Sequence, residues 1–156
     1  MSAGEVCAVR MIGFPVGVYR RASEHSDELM REFALIREDG SENIPARLLA
    51  LVDELRLRFG AFTARPSDQL QQAVARGDAT IDLEYVVPAS VRDAAVQLDR
   101  LLDEADAFCL AGELLTLATE PEGLAFRRWF LEEFVRQVDG LPARPWSEVV
   151  TDPASG

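Results

Sequence analysis

Residues 120–137 read EPEGLAFRRWFLEEFVRQ, a stretch that combines one Trp and three Phe with three Arg. The preceding Thr119 and the following Glu122 have the spacing of a capping box, and Pro121 suits the first turn of a helix. The sequence therefore predicts a helix that ends near Gly140 and packs on the core. On a helical wheel of about 100° per residue, one broad apolar face carries Leu124, Phe126, Phe130, Leu131, Phe134, Val135 and Val138.

Trp129 falls on the opposite, polar side of this wheel, among Arg and Glu side chains. An exposed Trp beside Arg is typical of an interface anchor. We therefore expect the replacement of Trp129 by Ala to change the free energy of unfolding by about 0.5 kcal/mol or less. The alternative is that the Pro-rich segment after Gly140 folds back over the Trp129 ring. The predicted partner-binding surface consists of Trp129, Arg136, Arg128, Glu132 and Glu133.

Two further patterns predict strands, CAVRMIGFP at 7–15 and ATIDLEYVVP at 79–88, because short β-branched or alternating stretches that end at Pro are typical of strands. The segment LLTLAT at 114–119 is either a third strand or an extended link. Helical periodicity and end signals predict helices at about 18–37, from a cap at Asn43 to Gly60, at about 67–76, from a cap at Ser90 to Gly112, and at 121–139.

These elements predict an α+β, mostly helical domain over residues 1–140, with about five helices and a small sheet of two or three strands. Residues 141–156 are predicted to be a Pro-rich C-terminal tail. A strand, a Pro and two helices occur twice, which predicts that the two strands are direct neighbours. Chance recurrence of a common unit remains an alternative to a true repeat. At one constant offset, the matched positions are Pro15, Ala22 and Leu29 with Pro88, Ala95 and Leu102.

The charge balance argues against nucleic acid as a partner. The chain has 16 basic residues, all of them Arg, against 27 acidic residues, and its formal net charge is −11. Phosphate binding needs a concentrated positive face, which this composition does not favour. The N-terminus lacks a signal-peptide pattern and no apolar run approaches about 18 residues, so we expect a cytoplasmic protein without membrane attachment.

A metal site would have to be built around the single His. Glu24, His25 and Glu28 share the helical spacing used by carboxylate metal sites, but a complete site needs ligands from a second helix. Asp99, Asp103 and Asp106 lie opposite the apolar stripe of their own helix, so the favoured interpretation is a solvated acidic face with His25 as a half-buried structural residue. No phosphate-binding loop or nucleophile elbow is present in the sequence. We therefore expect no metal, no cofactor and no assigned catalytic residue.

Three motifs together resemble a family of small acidic actinobacterial proteins of unassigned activity, encoded near phosphatase, anti-sigma kinase and anti-sigma antagonist genes. They are FPVGVYRRASEHSDELMREFAL at 14–35, LLDEADAFCLAGELLTLATEPE at 101–122 and FRRWFLEEFVRQVDG at 126–140. This resemblance implies a role in bacterial signalling, with a protein partner such as an anti-sigma or phosphatase-type regulator. A homodimer is left open.

Each strand and helix pair is also similar in outline to the opening of the histidine-kinase-like ATPase fold. That fold requires Asn in an E-x-x-x-N motif, whereas Gln137 follows Glu133 and Arg58 follows Glu54 at this spacing. The D-x-G-x-G loop is also missing from the sequence, so we expect no ATP binding at physiological concentration.

Two functions follow as hypotheses. The first is a non-catalytic protein interaction module in bacterial signalling or transcription regulation. The second is a small metal-dependent or small-molecule enzyme that uses an acidic helical site around His25.

Overall fold

The computed structural model describes residues 5–36, 43–113 and 119–150. Its two strands and five α-helices confirm the predicted α+β, mostly helical fold. No helix within these ranges is long and apolar enough to cross a membrane. In chain order the elements are β1 (Val6–Pro15), α1 (Val16–Ile36), α2 (Ile44–Arg76), β2 (Thr80–Pro88), α3 (Val91–Phe108), a π-helical turn (Cys109–Glu113), α4 (Pro121–Val138) and α5 (Trp146–Val150).

The sheet consists of β1 and β2, which pair antiparallel and confirm the prediction that these strands are neighbours. One face of the sheet is buried beneath the helices, and the alternation in both strands follows from that one-sided burial. A register shift between Met11 and Phe14 is accommodated by Gly13, which has a φ of 66° and donates its N–H to Asp82 Oδ1 at 2.8 Å. The buried strand residues are Val9, Met11, Phe14, Leu83, Tyr85 and Val87.

The helices pack on the buried face of the sheet, and the last helix of each half of the chain covers the strand of the other half. The first half, β1–α1–α2, places α2 against β2, whereas the second half, β2–α3–α4, places α4 against β1. The helix α1 contacts α2 and α4, and in the same way α3 contacts α4 and α2. The strand register is consistent with an approximate two-fold axis through the sheet, since Val6 pairs with Pro88 and Pro15 pairs with Thr80. This arrangement is what two repeated strand–helix–helix units would produce.

Helix α2 differs from the prediction of two separate helices. It runs continuously from Ile44 to Arg76, through both Gly60 and the buried Pro66. In a helix interior Gly costs about 1 kcal/mol and Pro about 3 kcal/mol, and we attribute the continuity of α2 to its packing on β2. The two predicted ends of this helix are confirmed. Asn43 Oδ1 accepts from the Ala46 N–H at 2.9 Å, and Gly77 ends the helix at a φ of 73°.

Two predicted caps are wrong. Ser90 precedes α3 in a helical conformation and makes no side-chain capping bond. The N-cap of α4 is Glu120 rather than Thr119, because the Thr119 backbone N–H and hydroxyl both donate to Asp106 Oδ1, at 3.1 and 2.8 Å. The LLTLAT segment spans residues 114–119, and residues 114–118 of it lie outside the described part of the chain.

The start of α3 is joined to the end of α4 by an exposed ion pair. Arg92 Nε and Nη2 donate to the two oxygens of Asp139 at 2.8 and 3.2 Å. The hydrogen bond from Arg92 lowers the pKa of the Asp139 carboxyl, and the same bond raises the pKa of the Arg92 guanidinium. Because both groups are solvated, the pair orients the two helix ends more than it stabilises the fold.

Candidate functional site

The expectation that Trp129 faces solvent is wrong. Its side chain is only 3% exposed, and its indole Nε1 donates to the Arg144 carbonyl oxygen at 2.7 Å. The ring also contacts Trp146 with a centroid separation of 5.5 Å and Phe14 with a separation of 6.1 Å. The segment after Gly140 therefore folds back over α4, which was the alternative weighed from the sequence. A wheel of α4 alone misplaces Trp129 because a second element covers the other side of the helix.

Glu133, another residue of the predicted partner surface, is 1% exposed. Its Oε1 accepts from the Arg144 N–H at 2.7 Å and from Gln137 Nε2 at 3.0 Å. Arg136 Nε lies 3.2 Å from Glu133 Oε2, yet the two groups lack hydrogen-bond geometry, so that carboxylate oxygen is buried without a hydrogen-bond partner. Glu133 thus holds the C-terminal segment on α4 and is not available on the surface.

Gln137 connects this network to the sheet. Its side-chain oxygen accepts from the Arg10 N–H and its Nε2 donates to the Arg10 carbonyl, both at 2.8 Å. One side-chain amide therefore satisfies both groups that an extra strand would bond at this edge of β1. The position that corresponds to the Asn of the ATPase motif has a structural role here.

Only Arg128 and Glu132 of the predicted partner surface are well exposed, and Arg136 is half-buried. Arg128 Nη2 donates to both oxygens of Asp103 at 2.9 Å. The structure therefore does not gather the five predicted residues on one accessible face. Trp129, Glu133 and Arg136 belong to a largely buried network, Arg128 forms a solvated ion pair, and Glu132 is exposed.

The acidic row of α3 is not simply solvated, which corrects the favoured interpretation of Asp99, Asp103 and Asp106. These side chains face α4, where Arg127 is only 13% exposed. Arg127 Nη1 donates to Asp106 Oδ2 at 3.0 Å and Nη2 donates to Asp103 Oδ1 at 2.7 Å, while Asp99 Oδ1 lies 3.8 Å from Nε. The available sequence signal for this contact was a row of Asp at helical spacing on α3, together with a lone Arg within the apolar arc of α4.

Glu24, His25 and Glu28 do not form a metal site in the structure. Glu24 lies 3.4 Å from Arg20 on the solvent side of α1, and Glu28 is exposed. Across the described ranges, no group of three His, Cys, Asp or Glu residues could hold a metal ion. His25 instead lines a cavity, and its Nε2 atom is closed off from solvent with no hydrogen-bond partner among the described residues.

This cavity has a volume of about 730 Å³ and lies between α1, α3 and α4. Side chains from all three helices form apolar walls, and the rings of Phe126 and Phe130 stack at a centroid distance of 6.0 Å. Pockets of about 300–1,000 Å³ with apolar walls and a few polar groups are typical of small-molecule sites. The principal wall residues are Tyr19, Ala22, Leu98, Leu102, Phe126 and Phe130.

Charged side chains surround the cavity, and its two Arg are already paired. Arg21 Nη2 donates to Glu122 Oε1 at 2.6 Å, and Arg127 is held by the acidic row of α3. Asp27, Glu28 and Glu120 also line the cavity and form no ion pair with any other described residue. The surroundings of the cavity therefore carry excess negative charge.

The cavity itself was missed from the sequence, because its wall residues have the same periodicity as core residues. Leu98, Leu102 and Phe130 lie on the apolar faces of their helices, and each is only partly buried. Periodicity identifies the inward face of a helix but not the distance between neighbouring helices.

Comparisons of the chain with models of protein families, with curated proteins and with solved structures found no match.

Proposed function

We propose that this protein binds a small, largely apolar molecule in the cavity between α1, α3 and α4. The single observation that supports this most strongly is the cavity of about 730 Å³, with an aromatic and aliphatic wall. His25 adds a polar side chain to this wall. A group of this kind suits orientation of a mostly apolar ligand.

Binding without chemical conversion is the simplest role for this site. Nucleophilic catalysis needs a base within hydrogen-bond reach of the nucleophile. Ser23 and Ser26 line the same cavity as His25, but neither hydroxyl bonds to His25 Nε2. This geometry favours a binding protein over the enzyme hypothesis centred on His25.

Titration with a neutral aromatic probe, 1-naphthalenemethanol, tests this proposal. We expect saturable binding by calorimetry and a raised melting temperature, because the probe replaces solvent against the apolar walls. Ala22→Phe places a ring in the cavity and should weaken binding at least ten-fold. Ala64→Phe, on the exposed side of α2, is the matched control and should bind as the wild type does.

Circular dichroism and the melting temperature of both variants establish that they are folded. Absence of saturable binding to the wild type, or equal binding by a folded Ala22→Phe protein, would falsify the proposed site.

A second candidate function is a cytoplasmic protein interaction module in bacterial signalling, with an anti-sigma or phosphatase-type regulator as partner. Its support is the exposure of two large apolar side chains on α2, Leu57 at 88% and Phe62 at 39%. Apolar surface of this kind is favoured at interaction sites when it is contiguous. The role comes from the family resemblance, and α2 replaces the α4 surface as its proposed site.

Crosslinking and mass spectrometry with purified candidate regulators test this second function. A partner that uses α2 should bind the wild type and lose at least ten-fold in affinity for Leu57→Glu. Arg56→Glu is the control, because Arg56 is also exposed on α2. Equal binding of both variants would exclude Leu57 from the interface.

A further inference from the structure

The charges around the cavity lead to a more specific inference about its ligand, which rests on the proposed small-molecule function. Both guanidinium groups at the cavity are engaged by carboxylates, Arg21 by Glu122 and Arg127 by Asp103 and Asp106. An anionic ligand therefore meets no unpaired cation among the lining residues that the structure describes. It would also be repelled by the neighbouring carboxylates.

A cationic ligand meets the opposite conditions. Asp27, Glu28 and Glu120 line the cavity without an ion pair to another described residue, so their carboxylates are available to a positive group. The formal net charge of −11 on the whole chain adds a longer-range attraction for cations.

The aromatic wall is also suited to a cation. Tyr19, Phe126 and Phe130 line the cavity, and Tyr19 lies 6.4 Å from Phe126 between ring centroids. The face of an aromatic ring attracts ammonium groups, most strongly where water is partly excluded. The same rings also provide apolar contact area for the uncharged body of a ligand.

The chemistry of the carboxylates agrees with a cationic ligand. An ammonium group has only donors to offer, whereas a carboxylate has only acceptors. A protonated amine therefore suits the carboxylates at the cavity that form no ion pair with a described residue.

We propose that the cavity between α1, α3 and α4 selects lipophilic organic cations. The aromatic or aliphatic body of the ligand packs on Tyr19, Phe126 and Phe130, and its ammonium group lies near the carboxylates of Asp27 and Glu28. The apolar wall binds the body of the ligand, and the carboxylates around the cavity supply the preference for a positive charge.

Three probes with one ring system separate ligand charge from ligand shape. They are 1-naphthylmethylamine as the cation, 1-naphthalenemethanol as the neutral compound and 1-naphthylacetate as the anion. We expect the cation to bind at least ten-fold more tightly than the anion at low ionic strength, with the neutral probe between them. The ratio should fall at high salt, because ions screen the partly exposed carboxylates.

A charge-matched pair of variants locates the preference. Asp27→Asn combined with Glu28→Gln should weaken binding of the cation about three-fold or more and leave the neutral probe unchanged. Asp53→Asn combined with Asp68→Asn makes the same change in net charge on exposed positions of α2, away from the cavity. This control should retain the wild-type preference.

The outcomes distinguish this inference from the proposed function beneath it. Binding of the neutral probe with equal or tighter binding of the anion overturns cation selection and leaves the small-molecule site intact. An equal loss in both double variants also overturns it, since the preference would then reflect net charge alone. If no probe binds, both the site and its selectivity are rejected.

Discussion

Trp129 shows how one side chain joins two parts of the chain. Its ring lies between α4 and the C-terminal segment, in contact with Trp146, while its indole N–H satisfies the Arg144 carbonyl. Glu133 bonds the N–H of the same Arg144, so both backbone groups of this residue are held by α4. A buried aromatic ring with a satisfied polar atom is a stabilising arrangement, because it removes apolar area from water without leaving a donor unpaired.

We expect Trp129→Ala to lower the free energy of unfolding by about 3–5 kcal/mol, the range for removal of a packed Trp. Trp129→Phe keeps most of the apolar contact but leaves the Arg144 carbonyl without its donor, so a smaller loss of about 1–2 kcal/mol is expected. Urea titration followed by circular dichroism measures both values. A loss of about 0.5 kcal/mol or less for the Ala variant would indicate that Trp129 is exposed, as the sequence predicts.

At the scale of single elements, packing keeps α2 continuous through residues that usually interrupt a helix. Gly60 lies in the helix interior, where an added Cβ would meet nothing within 4 Å. Gly77 ends the same helix in the left-handed region, with its N–H directed at the carbonyls of Ala73 and Val74. The backbone therefore requires Gly at position 77 but not at position 60.

Replacement of each glycine by Ala should change stability in opposite directions. Gly60→Ala is expected to stabilise the protein by about 0.5–1 kcal/mol, since Ala loses less backbone entropy on folding and has room for its methyl group. Gly77→Ala is expected to destabilise it by about 1 kcal/mol, because a Cβ is strained at positive φ. Denaturant midpoints of the two variants give the comparison, and destabilisation by Gly60→Ala would indicate a bend at this position that helical geometry does not require.

The sequence predicted the elements whose signals are local. Alternation identified β2, and Asn43 and Gly77 marked the ends of α2 correctly because each acts through its own neighbouring backbone. The continuity of α2 through Gly60 and Pro66 was missed, because packing on β2 outweighs the local preference to stop.

The candidate site was predictable only in its residue types. His25 was identified, but as a metal ligand in one hypothesis and as a structural residue in the other. Its place in a cavity depends on the separation of three helices, which no pattern within one helix encodes. Trp129 was misplaced for a related reason, since the covering segment is outside the helix that was analysed.

At the scale of the whole molecule, the C-terminal segment belongs to the main core. Trp146 is buried in the same cluster as Phe126 and Trp129, and α5 contacts both β1 and α4. The domain boundary predicted at Gly140 would separate Trp146 from Phe126 and Trp129, its neighbours in this cluster. The contacts predict that residues 1–140 alone do not reach the stability of the longer chain.

A chain that ends at Gly140 should therefore unfold at a lower urea concentration than a chain that ends at Val150. The shorter chain lacks Trp146 and the Arg144 backbone, so it loses buried apolar area and leaves the indole N–H of Trp129 without its acceptor. Fluorescence of the remaining Trp129 should also shift to longer wavelength as water reaches the ring. Equal unfolding midpoints for the two chains would show that residues 141–150 are a dispensable tail.

The pairing of β1 with β2 has a consequence for synthesis of the chain. The ribosome makes β1 before β2, and the two helices α1 and α2 are made between them. The Gln137 amide that bonds Arg10 at the other edge of β1 is made later still. Until then the nascent chain carries an apolar strand that has no native neighbour. Unpaired strands of this kind associate readily with one another. Translation is therefore a stage at which β1 is exposed to aggregation, and at which a chaperone that covers this strand would protect the chain.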